Sequence, residues 1–243
     1  MEADITDING ETRSTSAIVP VGYKALNLQI TLPSTDPMPA DSLKNIFIST
    51  KNLSGEFEPA KVEVKIYKLQ TPQKLTRNRY WDQTDQFVMS NEEYIKYFPN
   101  DEYKDESKKE TWQKGELVFE LNDSTTLNSK FKIQNSKFQQ GWYVIEATSK
   151  DKYGQDVKDV KYFQLYEMKA SSLPAPAYTW NTIIKNEVEP GEKAQFISGT
   201  SANDIFVIQQ TDKPSSDGPR LTTNYQYLTL NNEKKTFEFP TTE

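Results

Sequence analysis

The sequence predicts an all-β protein made of tandem sandwich units. Three observations point there. Short runs alternate apolar and polar residues, turn residues separate the runs, and one turn sequence recurs 144 residues downstream. Alternation matters because successive side chains of a strand point to opposite faces, so a half-buried strand reads with period two. Leu26, Leu28, Ile30 and Leu32 are interleaved with Asn27, Gln29 and Thr31. Val62, Val64 and Ile66 alternate with Lys61, Glu63 and Lys65, and Phe131 and Ile133 with Lys130, Lys132 and Gln134.

Seven strands are expected between residues 23 and 167, at about 23–32, 44–51, 60–69, 116–121, 127–134, 141–150 and 157–166. Asn52 to Pro59 supplies a turn between the second and third. Asp151-Lys152-Tyr153-Gly154 joins the last two, with Gly154 free to take positive φ. Seven short antiparallel strands in this order suggest an immunoglobulin-like sandwich.

The stretch 70–114 is too long for an ordinary sandwich loop. Ser90-Asn91-Glu92-Glu93 reads as a helix start, Tyr94, Ile95, Tyr97 and Phe98 follow, and Pro99 stops the helix. The insertion is therefore expected to carry one short helix. Ser171-Ser172-Leu173-Pro174-Ala175-Pro176 reads as a stiff linker. Beyond it, strands are expected at about 178–185, 193–199, 204–210, 224–230 and 235–239.

Composition excludes much chemistry. The 243 residues contain no Cys and no His. That removes disulfides, thiol nucleophiles, thiolate metal sites and every imidazole-based catalytic arrangement. The net charge of -6 argues against a nucleic-acid footprint. No apolar run approaches the ~20 residues of a membrane-spanning helix, so this segment is not expected to insert in a membrane. Met1-Glu2-Ala3-Asp4 does not open a signal peptide, and the chain is expected to be an internal fragment of a longer polypeptide.

Asp7-Ile8-Asn9-Gly10-Glu11 recurs as Asp151-Lys152-Tyr153-Gly154-Gln155, in strand–turn–strand context both times. The repeat implies a tandem array. Residues 1–22 would be the last hairpin of a preceding domain, 23–168 one complete domain with its insertion at 70–114, and 169–243 a further, truncated domain.

In this frame the chain resembles the macroglobulin-like domains of bacterial alpha-2-macroglobulins, particularly the large Bacteroidetes-type versions. The resemblance is carried by Thr6-Asp7-Ile8-Asn9-Gly10-Glu11-Thr12, Val21-Gly22-Tyr23-Lys24 and Lys51-Asn52-Leu53-Ser54-Gly55-Glu56. It continues through Arg79-Tyr80-Trp81 with Asp85, Phe98-Pro99-Asn100-Asp101, Asp105-Glu106, Gly141-Trp142-Tyr143, Glu189-Pro190-Gly191-Glu192 and Gly199-Thr200-Ser201. It implies tandem sandwich domains forming a cage that closes around a protease once a bait segment is cut. The expected function is thus a non-catalytic structural module of a protease-trapping protein, in the periplasm or at the cell surface, whose parent could be a lipoprotein. Its implied partners are target proteases, met through the full-length parent, and neighbouring macroglobulin-like domains. Many family members add a thioester from a Cys–Gln pair, and a chain without Cys cannot contain it. The alternative reading is a glycan-binding or adhesive immunoglobulin-like module of a surface protein.

Individual residues are weighed in the same way. Asp101, Glu102, Asp105 and Glu106 offer carboxylates for Ca²⁺, but Lys104, Lys108 and Lys109 among them favour a solvated loop, and the spacing is not that of an EF-hand. No catalytic, cofactor-binding or metal-binding residue is assigned and no cofactor is expected. Trp142 lies in a strand and is expected in the core. Trp81, Tyr94, Tyr97 and Trp112 belong to the insertion and are the candidate partner surface; Trp81 and Trp112 are expected to pin it to the sandwich.

Overall fold

The computed structural model describes residues 1–34, 37–77, 79–80, 82, 85–127, 129–133, 138–215 and 218–241. The chain is all-β, in several sheets with one short helix. No helix among the described residues is long and apolar enough to cross a membrane.

It opens with a hairpin of β1 (Glu2–Thr6) and β2 (Thr12–Ser16). Every residue of both strands is exposed. The turn is held by Asp7, whose Oδ1 accepts the amides of Asn9 and Glu11, each at 2.9 Å. Gly10 takes φ +85°, the left-handed region where a side chain would be strained.

The central sandwich follows. β3 (Leu26–Thr31), β4 (Met38–Pro39), β5 (Asn45–Asn52) and β6 (Lys61–Leu69) precede the insertion. The helix α1 (Asn91–Tyr97) lies within it, and β7 (Lys114–Ser124), β8 (Lys130–Lys132), β9 (Gly141–Lys150) and β10 (Asp156–Tyr166) come after. One sheet runs β3-β5-β8 and the other β4-β10-β9-β6-β7. The alternating runs become the inner faces, and Ile46, Val64, Ile66, Ile145, Ala147, Phe163 and Leu165 are fully enclosed between the sheets.

Two carboxylates stitch the first strand to the last hairpin. Asp151 Oδ2 accepts the Ala25 amide at 2.9 Å, and Asp159 Oδ2 accepts the Ile30 amide at 2.7 Å. Across the sandwich β3 lies against both β9 and β10. Asp151 Oδ1 accepts Tyr153 and Gln155 amides at 2.9 Å and Gly154 takes φ +80°, so this turn repeats the Asp7 turn bond for bond. Asn52 builds a third copy with Ser54, Glu56 and Gly55. The turn sequence by itself is therefore a local device; the strands beside it carry the repeat.

The C-terminal unit contains β11 (Trp180–Lys185), β12 (Lys193–Thr200), β13 (Ile205–Ser215), β14 (Gly218–Leu230) and β15 (Glu233–Pro240). Three strands form the sheet β11-β12-β15, while β13 and β14 make a long two-stranded ribbon. Pairing aligns Ile183, Phe196 and Phe237 in one row. Phe196 stacks on Phe237 at 5.0 Å and on Phe239 at 5.4 Å, all three only half-buried. Gly199 is required by close approach, since a Cβ there would lie 2.6 Å from Lys234 Cβ.

Candidate partner-binding surface

The insertion folds on its own aromatic cluster. Ser90 caps α1, its Oγ accepting the Glu93 amide at 3.2 Å, and Glu92 and Glu93 sit favourably at the positive end of the helix. The helix presents Tyr94 to Phe98 and Tyr103, with ring centroids 5.0 and 5.3 Å apart, and Tyr103 also meets Phe87 at 4.7 Å. Tyr103 donates its hydroxyl hydrogen to Met89 O at 2.6 Å, fixing the segment before the helix.

The acidic run is held by cations and amides rather than gathered around a common point. Arg77 binds the Asp101 carboxylate through Nε at 2.8 Å and Nη2 at 2.6 Å, and that hydrogen bond raises the Arg77 pKa further. Arg79 donates to the carbonyls of Glu102 and Lys104, Lys108 pairs with Asp105, and Glu106 accepts the Lys104 amide.

A 3-10 turn at Lys109–Thr111 brings the insertion back to the sandwich. Trp112 donates Nε1–H to Glu106 O at 2.6 Å and meets Trp142 edge to face, centroids 6.1 Å apart. Lys109 Nζ lies 4.2 Å above the same Trp142 ring, a cation–π contact. Trp142 is therefore not a core residue. Its neighbour Tyr143 takes the inward position on β9, and alternation turns Trp142 outward, where the insertion partly covers it.

The candidate residues do not form one surface. Tyr94 belongs to the internal cluster, Tyr97 is 59% exposed, and Trp112 is half-buried on Trp142. Trp81 lies outside the described residues. A cleft of roughly 710 Å³ opens beside Trp112, between the insertion and the linker, lined by Trp142, Tyr80, Lys74, Arg77 and Trp180. Its best donors are already engaged, Trp112 with Glu106, Arg77 with Asp101, and Trp180 with Gln164.

Two features escaped the sequence reading. The first is a joint between the central sandwich and the C-terminal unit. Trp180 stacks edge-on against Tyr166 at 5.4 Å and donates Nε1–H to Gln164 Oε1 at 2.8 Å. Lys234, almost fully enclosed, sits over both rings and donates to Glu167 O at 2.6 Å. Burial holds its ammonium below the usual lysine pKa, with the Glu167 charge opposing. Thr182 Oγ1 reaches back to Pro37 O at 3.1 Å, and Leu173 and Ile197 complete the apolar contact. The second is the ribbon's exposed face, where Phe206, Ile208, Tyr225 and Tyr227 stand in solvent and Phe206 stacks on Tyr227 at 6.0 Å. Alternation over 204–210 and 224–230 was the signal for this face, because both strands carry a second set of large residues out of phase with the first.

No protein-family profile matches the sequence, and no curated protein matches it. Among solved structures, the chain is similar to a tetra-tandem repeat from the extending region of a large adhesion protein. That match is 14% identical, covers 97% of this chain and 46% of that one, and has a TM-score of 0.30. It is also similar to the native conformation of E. coli alpha-2-macroglobulin, at 11% identity, 96% of this chain, 16% of that one and a TM-score of 0.34. The chain spans less than half the length of either structure, and at these scores neither likeness assigns it a function.

Proposed function

We propose that the chain is a non-catalytic structural module of an extracytoplasmic, macroglobulin-like array, in a parent polypeptide that traps proteases. In this reading the chain divides at 22/23 and 168/169, and the central unit carries the 70–114 insertion. The observation that supports it best is the joint. A protein that must hold a cage needs neighbouring units fixed at a set angle, and a buried aromatic pair with an enclosed lysine resists bending where a bare linker would not. The absence of His and Cys fits a role without chemistry.

The test uses the longest natural polypeptide containing this segment, incubated with an endopeptidase. A cage admits small substrates and excludes large ones. The trapped enzyme should keep activity on a short chromogenic peptide and lose it on casein. Equal activity on both would refute trapping.

One observation favours the adhesive alternative, the exposed Phe206, Ile208, Tyr225 and Tyr227 face, which could stack on sugar rings. Binding to an oligosaccharide array that is lost on Phe206→Ala together with Tyr227→Ala would support that reading instead.

A further inference from the structure

The linker between the central sandwich and the C-terminal unit is enclosed, whereas connecting segments usually run over the surface. Leu173, Pro174 and Ala175 are buried, and Pro176 and Ala177 are half-buried. The linker is also bound to the C-terminal unit near both its ends. Lys234 donates its amide to Ser171 O at 2.7 Å, Ser201 donates its amide to Ala177 O at 2.7 Å, and Ser201 Oγ accepts the Ala177 amide at 3.2 Å. Whatever packs on residues 171–177 therefore packs on the C-terminal unit.

Two parts of the central unit reach this segment. Gln140, just before β9, donates Nε2–H to Ser172 Oγ at 2.9 Å. The other is the first limb of the insertion. Thr71, Gln73 and Leu75 line one cleft together with Leu173 and Pro174. Pro72, Lys74 and Thr76 line the neighbouring cleft together with Ala177 and Tyr178. That alternation is the mark of an extended limb running between two clefts alongside the linker.

The limb is braced from behind. Arg77 donates its amide to Asn100 O at 2.7 Å, its guanidinium grips Asp101 Oδ1, and Lys74 Nζ reaches Asp101 O at 2.9 Å. The loop after α1 is tied in turn to the returning limb, where Thr111 donates to Asp105 O and Trp112 to Glu106 O. Trp112 and Lys109 rest on Trp142 of β9. At the base, Gln70 donates its amide to Gln113 O and Leu69 pairs with Lys114, so the insertion leaves and rejoins neighbouring strands.

We propose that the 70–114 insertion is a strut that fixes the angle between the central sandwich and the C-terminal unit, its first limb bearing on the linker and its last limb on Trp142. Tyr166, Trp180 and Lys234 gather at one point of the joint, about which two rigid bodies can still rock. A second contact away from that point removes the freedom. The inference concerns the geometry of this segment and does not rest on the protease-trapping reading.

The chain contains no Cys, so a pair of spin labels can be placed at will. Lys132→Cys on β8 and Lys235→Cys on β15 are both exposed and report the distance between the units by pulsed electron paramagnetic resonance. The otherwise unmodified chain should give one narrow distance distribution. Replacing residues 71–112 with Asn-Gly should at least double its width, and Lys74→Ala combined with Arg77→Ala should broaden it less. Both variants leave Tyr166, Trp180 and Lys234 in place, so a joint that sets the angle alone would give the narrow distribution in each, and that result overturns the proposal. A broad distribution in the chain with its insertion intact overturns it as well. If the shortened chain does not fold, the double substitution, confined to side chains on one limb of the insertion, decides the question by the same readout.

Discussion

The central sandwich and the C-terminal unit share a strand order and differ in how well they are closed. In the first, Phe163 is fully buried and stacks on Tyr143 at 5.5 Å. In the second, three stacked phenylalanines remain half-open to water. The central sandwich has the β9–β10 hairpin in the middle of its five-stranded sheet, where it clamps β3 through Asp151 and Asp159. Strand pairing within a sheet builds the faces, and this final hairpin converts two faces into a core.

The largest expected effect tests that contrast directly. Phe163→Ala removes a fully enclosed ring and should destabilise the central sandwich by about 3–5 kcal/mol. Phe237→Ala should lower stability by only about 1–2 kcal/mol, because part of that ring is already in water. Urea unfolding of the two variants checks it, and equal losses would mean that the units are closed to the same degree.

Next in size is the joint between them. Trp180→Ala deletes the ring that meets Tyr166 and leaves Gln164 Oε1 without its donor. A loss of about 3 kcal/mol is expected. Thermal unfolding should also split, the C-terminal unit melting first, if the joint is what couples the two. A single transition in the variant would show that they are coupled elsewhere.

The smallest effect compares the two equivalent turns. The Ala25 amide, then those of Gln155 and Tyr153, hold the Asp151 carboxyl below its usual pKa. A depressed carboxyl contributes stability above its unfolded pKa of about 3.9, and that contribution is lost as pH falls through the lower folded value. Asp151→Asn should therefore lower the melting temperature at neutral pH, with the gap from the unmodified chain narrowing below about pH 4. Asp7→Asn, in a hairpin whose two strands are exposed throughout, should leave the melting temperature unchanged at either pH.

The strands were legible because they alternate. All seven expected between 23 and 167, and all five beyond 177, have a counterpart in the structure. The helix at 91–97 was legible from its Ser90 cap and its Pro99 stop. The two-residue β4 was not, since Met38–Pro39 is too short for any periodicity. Burial was harder to read than pairing. Trp142 has the composition of a core residue and the phase of a surface one, and phase decides. The joint was invisible because Lys234 lies far along the chain from Tyr166 and Trp180 and none of the three stands in a motif. The candidate surface was read from aromatic content, which does not distinguish a ring that packs inside the insertion, as Tyr94 does, from one that faces outward, as Tyr97 does.

The carboxylate clamps have a consequence for synthesis. Asp151 and Asp159 bind the amides of Ala25 and Ile30, contacts that span 126 and 129 residues. A ribosome releases the chain from the N-terminus at roughly 5–20 residues per second. The first strand must then wait roughly six to twenty-six seconds before its last partners emerge. During that interval β3, β5 and β6 present apolar faces to the surrounding medium, the interval in which pairing with a neighbouring nascent chain competes most strongly with correct closure. Lys61, Lys65 and Lys68 place charge along β6, which is unpaired until β7 and β9 emerge, and charge is what keeps an open edge from recruiting the wrong partner.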